Sequence, residues 1–146
     1  MKIQHYLDKG VGECWLRDAR IGALIVSGIK YFEGTRYTSH AWCVMPNHVH
    51  WVLTPKANGE SKQVDSDLVS ILHSLKSYTA HEANKILNRS GAFWSREYYD
   101  HAIRSDEEFG RLVDYTIGNP VKARLCKVWK DWPWTGCSET IRRLLQ

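Results

Sequence analysis

The run Cys43-Val44-Met45-Pro46-Asn47-His48-Val49-His50-Trp51-Val52-Leu53 constrains this chain more than any other stretch. Pro46-Asn47 reads as a turn between two apolar segments, so Tyr37 to Met45 and His48 to Thr54 are expected to pair as a hairpin. Side chains alternate faces along a strand. His48, His50, Val52 and Thr54 therefore share one face, and Val49, Trp51 and Leu53 share the other. At a rise of ~3.3 Å per residue the two imidazoles stand ~6.5 Å apart, close enough to share one divalent cation. One face is equipped for chemistry and the other is free to pack.

Helical periodicity surrounds the hairpin. After Arg17-Asp18, with Asp18 as N-cap, Ile21, Leu24, Ile25, Ile29 and Phe32 form one stripe that Gly34 ends. Ala57 to Ser66 reads as a polar loop. A long helix follows, with Leu68, Ile71, Leu72, Leu75, Ala83, Ile86 and Leu87 on its buried side. Ala92 to Ile103 is aromatic-rich and reads as one or two short strands. Ser105 and Glu108 then form a capping box for a helix that buries Phe109, Leu112, Val113 and Ile117. Pro120 disfavours helical geometry at Asn119, so that helix is expected to stop there. Helices mixed with antiparallel strands indicate an α+β protein with helices layered on a sheet.

The chain has 146 residues, enough for one domain with a substantial core, and residues 1–146 are expected to form a single domain. Four scattered cysteines without a C-x-x-C element are expected to be reduced thiols. No apolar run reaches the ~18–20 residues of a membrane span and no signal-peptide core is evident, so no membrane association and a cytoplasmic location are expected. The net charge of +4 permits a polyanionic partner without demanding one.

Tyr115 lies off the apolar stripe of its helix, on a flank shared with Asn119 four residues on. A helix packed on the sheet could bring both to the rim of the His48/His50 face. Tyr115 would then be a nucleophile and Asn119 a third, weaker ligand. Histidines plus an amide, with positions left open for phosphate oxygens, suit Mg²⁺ or Mn²⁺, although imidazole also accepts zinc. Plainer roles stand beside these. A His-x-His strand is more often structural than ligating, a lone tyrosine such as Tyr115 is far more often a half-buried surface residue, and Asn119 could cap the turn at Val121 to Ala123.

Taken together, Met45-Pro46-Asn47-His48-Val49-His50, Lys76 in Ser-Leu-Lys-Ser, Phe93-Trp94, Tyr99-Asp100-His101 with Arg104, and Tyr115-x-x-x-Asn119-Pro120-Val121-Lys122-Ala123 resemble the REP-associated tyrosine transposases. These are HUH-superfamily enzymes, in which U is a hydrophobic residue, and the resemblance runs from about Tyr6 to Ser138. It implies a ferredoxin-like α+β fold: an antiparallel sheet with helices packed on it and the histidine strand central. It also implies that His48 and His50 bind the cation, with Asn119 as third ligand, and that Tyr115 is the nucleophile. The implied substrate is single-stranded DNA beside palindromic hairpins, cut and rejoined through a 5′-phosphotyrosine by a monomer or homodimer. Members usually carry a strand ahead of the segment matching Tyr6-Leu7-Asp8. This chain starts almost on top of that segment, which puts the usual first strand, and a paired sheet edge, in question.

Lys76, Arg96, Arg104, Lys122, Arg124 and Lys127 are the candidate phosphate contacts, and Trp94 is the candidate base-stacking residue. Two other classes fit parts of the pattern. One is a catalytically inactive, sequence-specific DNA-hairpin-binding protein. The other is a hydrolytic metalloenzyme with a water nucleophile, which lacks acidic ligands near the histidines.

Overall fold

The computed structural model describes residues 3–10, 14–56 and 64–145. The hairpin forms where the alternation puts it, as β2 (Tyr37–Met45) and β3 (His48–Pro55), with Met45 paired to His48 and Trp42 to Trp51. Ahead of it come β1 (Ile3–Gly10) and helix α1 (Ala19–Tyr31). Asp18 caps α1 by accepting a hydrogen bond from the Arg20 amide at 2.9 Å. Beyond the hairpin lie α2 (Val64–Leu87), β4 (Trp94–Ile103), α3 (Asp106–Lys122), β5 (Thr135–Cys137) and α4 (Glu139–Leu144).

The sheet order is β4-β1-β3-β2-β5 and every neighbouring pair is antiparallel. Strands β1 to β4 with α1 and α2 give the ferredoxin-like arrangement, and β3 is the middle strand. The segment Tyr6-Leu7-Asp8 itself lies in β1, which is bonded to β3 on one side and β4 on the other. No edge opens there.

Each face of the sheet has its own core. On one face Tyr6, Val44, Val49, Trp51 and Leu53 pack with Ile21, Ile25 and Ile29 of α1 and with Leu68, Ile71, Leu72 and Leu75 of α2. On the other, Ala41, Val52 and Ile103 pack with Val113 and Ile117 of α3 and with Ile141 of α4. Among the described residues, no helix is long and apolar enough to cross a membrane. All four cysteines are free, Cys43 and Cys137 in buried positions.

Three local expectations are corrected. β4 is a single strand of ten residues, longer than the one or two short strands expected. α2 already begins at Val64, and the rest of the expected loop, residues 57–63, lies outside the described residues. α3 runs through Pro120 to Lys122 instead of stopping at Asn119. A proline removes one backbone donor, but Pro120 is buried against the core and lies in the last turn. There the amides of Ala123 and Leu125 still bond the carbonyls of Asn119 and Pro120 at 2.9 Å. Asn119 is thus a helical residue, not the cap of a following turn.

The capping box is half made. Ser105 accepts from the Glu108 amide at 3.1 Å, but the Glu108 carboxylate bonds the Arg104 amide and His101 Nε2, at 3.3 and 2.9 Å. The His101 ring at the end of β4 competes for the carboxylate and draws it off the box.

Candidate active site

β3 places His48 and His50 on the face that α3 covers, because Val49 between them and Trp51 after them are committed to the opposite core. Their rings are 4.8 Å apart between centroids and nearly perpendicular, at 89°. His50 is almost sealed, at 2% exposure. Burial first, then the neighbouring His48 and His5, pushes its pKa from 6.5 down to about 3, so it is a neutral imidazole at physiological pH. His48 lies at the rim, where Nδ1 is 2.6 Å from Asn47 Oδ1. An amide oxygen only accepts, so in this contact Nδ1 of His48 is the donor.

α3 is held on this face by its apolar stripe, with Val113 and Ile117 against Ala41, Val52 and Ile103. That docking swings the off-stripe flank over His50. The Tyr115 ring meets the His50 ring edge to face, with centroids 5.2 Å apart at 86°. Tyr115 remains 46% exposed, so a bound substrate could reach its hydroxyl. Asn119, one turn further along, is partly buried. Of the four residues expected together, His50 is in ring contact with both His48 and Tyr115, while Asn119 follows Tyr115 by one turn of α3.

Among the described residues, two buried side-chain polar atoms lack a hydrogen-bond partner: His50 Nε2 and Asn119 Nδ2. Buried polar atoms are nearly always satisfied, and an orphan calls for an explanation such as an ion. Both belong to residues anticipated as ligands. Turning the Asn119 amide over would exchange its nitrogen for its oxygen at the same place. This donor set fits a divalent cation: His48, His50 and the Asn119 amide would hold it. No group of three or more His, Cys, Asp or Glu able to hold a metal ion occurs among the described residues. Cys43 lies directly across from His50 on β2, but burial pushes its thiol up to about 12 and it stays protonated.

His5 on β1 was not anticipated. Its Nε2 lies 3.2 Å from His50 Nδ1, and burial, then His101, lowers its pKa. His5 pairs across the sheet with His101 and contacts Tyr99 edge to face, with centroids at 6.2 Å. Nothing in its local sequence marks it. Only the pairing of β1 beside β3 brings it to His50.

The DNA-contact candidates divide. Lys122 belongs to the site, its Nζ 5.9 Å from the centre of the Tyr115 ring. Arg96, Arg104, Arg124 and Lys127 are exposed. Lys76 is corrected: its ammonium lies 3.0 Å from the Asp8 carboxylate, which is 1% exposed, on the α1/α2 side of the sheet. A buried carboxylate needs that counter-charge, so Lys76 is bound by the fold. Trp94 is corrected too. It is 8% exposed, packs on Phe93, and donates its indole N–H to Thr79 Oγ1 at 2.9 Å, leaving no face for a base.

Fold and site together define a ferredoxin-like protein with a histidine pair on its central strand and a tyrosine laid against it from a helix. The chain is similar in sequence to REP-associated tyrosine transposases. It is 28% identical over 115 residues to the REP-associated tyrosine transposase of Escherichia coli (strain K12), covering 79% of this chain and 63% of that protein. A protein of the same kind from Haemophilus influenzae is 25% identical over 105 residues, covering 70% of this chain and 60% of the relative. The chain thus spans about three-fifths of the length of these curated relatives. No family model matches it. The fold is shared with a solved REP-associated tyrosine transposase bound to a REP hairpin, with a TM-score of 0.69, 20% identity, and coverage of 92% of this chain and 75% of that one.

Proposed function

We propose that this chain is a single-strand DNA transesterase of the HUH type, acting in the cytoplasm. It would cleave and rejoin DNA beside palindromic hairpins through a 5′-phosphotyrosine on Tyr115, with Mg²⁺ or Mn²⁺ as cofactor. The observation that carries this reading is the Tyr115 ring packed on His50, whose Nε2 is, with the Asn119 amide nitrogen, one of two unpartnered buried side-chain polar atoms among the described residues. The hairpin held by the structurally similar transposase supports the choice of substrate.

His48, His50 and Asn119 would hold the cation, which when bound supplies charge to polarise the scissile phosphate. The Tyr115 oxygen attacks phosphorus and gives up its proton as the bond forms. The bond from phosphorus to the 3′ oxygen breaks, and that oxygen leaves as a hydroxyl. The phosphate ester is conserved on tyrosine, so a second 3′-hydroxyl can reverse the step without ATP. Lys122, beside the Tyr115 ring, and the exposed Arg96, Arg104, Arg124 and Lys127 are the phosphate contacts.

A helix-borne tyrosine attacking at a sheet face needs the strand drawn flat across the site, which a duplex resists. The test is incubation with palindromic DNA carrying a single-stranded flank, followed by denaturing electrophoresis. An SDS-resistant protein–DNA adduct is expected on the hairpin substrate, with little or none on the same sequence as a fully paired linear duplex. Tight hairpin binding without any adduct would make the chain a binding protein. Duplex cutting at a comparable rate would make it a conventional nuclease.

A further inference from the structure

Two histidines can share one cation only if each offers it a lone pair. For His48 the side chain next to it offers an acceptor, Asn47 Oδ1 at 2.6 Å from Nδ1. His50 has no such neighbour on its own strand. We propose that His5 is a positioning residue: its Nε2 accepts the Nδ1 proton of His50, which fixes the tautomer and ring plane of His50 and holds the Nε2 lone pair toward a divalent cation. The role rests on the metal-dependent reading of the same site.

The geometry is that of a head-on bond. The nitrogens are 3.2 Å apart and the rings are within 7° of parallel. The centroid separation of 5.5 Å equals that contact plus one ring radius at each end, so both nitrogens lie on the line between the ring centres. Both residues are buried, at 6% and 2% exposure, so water does not compete readily for the bond. The opposite polarity, with His5 donating, would force the His50 proton onto Nε2. That atom has no acceptor, and a buried donor without a partner carries the full desolvation penalty. Ligating histidines commonly have the other ring nitrogen bonded to a second group, and removing that group weakens metal binding about tenfold to a hundredfold. Here the second group is an imidazole from the adjacent strand, held from its other side by Tyr99.

The experiment titrates Mn²⁺ into chelator-stripped protein by calorimetry, for the wild type, His5→Phe, His5→Gln and His50→Ala. It is paired with ¹⁵N NMR of the imidazoles in the metal-free wild type. His5→Phe should weaken Mn²⁺ binding about tenfold to a hundredfold. His5→Gln, whose amide oxygen can again accept, should recover most of the loss. In the wild type His50 should carry its proton on Nδ1 and none on Nε2. Wild-type affinity in His5→Phe alongside a collapse in His50→Ala would overturn the role of His5 and spare the metal site. Undiminished affinity in His50→Ala would remove the metal reading and this role with it. Should the Phe variant fail to fold, the wild-type spectrum still decides, because an Nε2-protonated His50 contradicts the assignment.

Discussion

On the α1/α2 face of the sheet the buried side chains of Trp51, Tyr37, Trp94 and Tyr6 each end on a partner. Trp51 donates to Ser39 at 2.9 Å, Tyr37 to the Ile29 carbonyl at 2.5 Å, Trp94 to Thr79, and Tyr6 to Asp8, whose charge Lys76 offsets. The α3 face has an apolar half of comparable quality around Val52 and Ile103, then a polar half in which His50 and Asn119 each keep an atom without a partner. One face is finished for stability. The other leaves those two polar atoms unpaired. The placement of charge follows the same division: Lys76 serves the closed face, while Lys122 stands over Tyr115 on the open one.

The contrast can be broken first at Tyr115. Tyr115→Phe should lower cleavage at least about a thousandfold, as expected for a lost nucleophile, while hairpin binding persists and stability moves within about 0.5 kcal/mol. Denaturant melts beside gel-based cleavage assays measure both, and undiminished cutting would return Tyr115 to the surface. The closed face should behave inversely. Trp51→Ala is expected to cost about 3–5 kcal/mol through the cavity it leaves, with cleavage per folded molecule retained. Lys76→Met should cost a similar ~3–5 kcal/mol by stranding buried Asp8, with no change in the salt dependence of DNA binding. A shallower salt dependence in that variant would move Lys76 into the DNA interface.

Acid should act through the open face. The folded pKa of His50 lies near about 3, below its ordinary 6.5, so the unfolded chain takes up the proton more readily. The stability linked to this group is fully present above pH 6.5 and falls as the pH drops toward about 3. Thermal midpoints of metal-free protein across that window should decline. His50→Phe should flatten the decline, and an unchanged slope would show that His50 is not the group responsible. The smallest effect is expected at Lys122→Ala, which should lower the slope of log affinity against log salt by about 1. An unaltered slope would leave Lys122 as a contact of Tyr115 alone.

The sequence by itself determined what depends on neighbours along the chain. Alternation with period two put His48 and His50 on one face and Trp51 on the other. The Pro46-Asn47 turn set the hairpin, and Asn47 is placed to fix the ring of His48. The helical stripe separated Tyr115 and Asn119 from Val113 and Ile117. Tertiary structure decided which elements became neighbours, and no local period encodes that. Pairing of β1 with β3 delivered His5 to His50 from 45 residues away. Docking of α3 by its stripe turned the Tyr115 flank toward the histidines. Burial of Asp8 claimed Lys76, and Thr79 on α2 claimed the Trp94 indole. Pro120 stayed helical because packing of its ring outweighed the one backbone bond it gave up. In each case the deciding energy is burial or pairing between residues far apart in the chain, and it exists only once the sheet has closed.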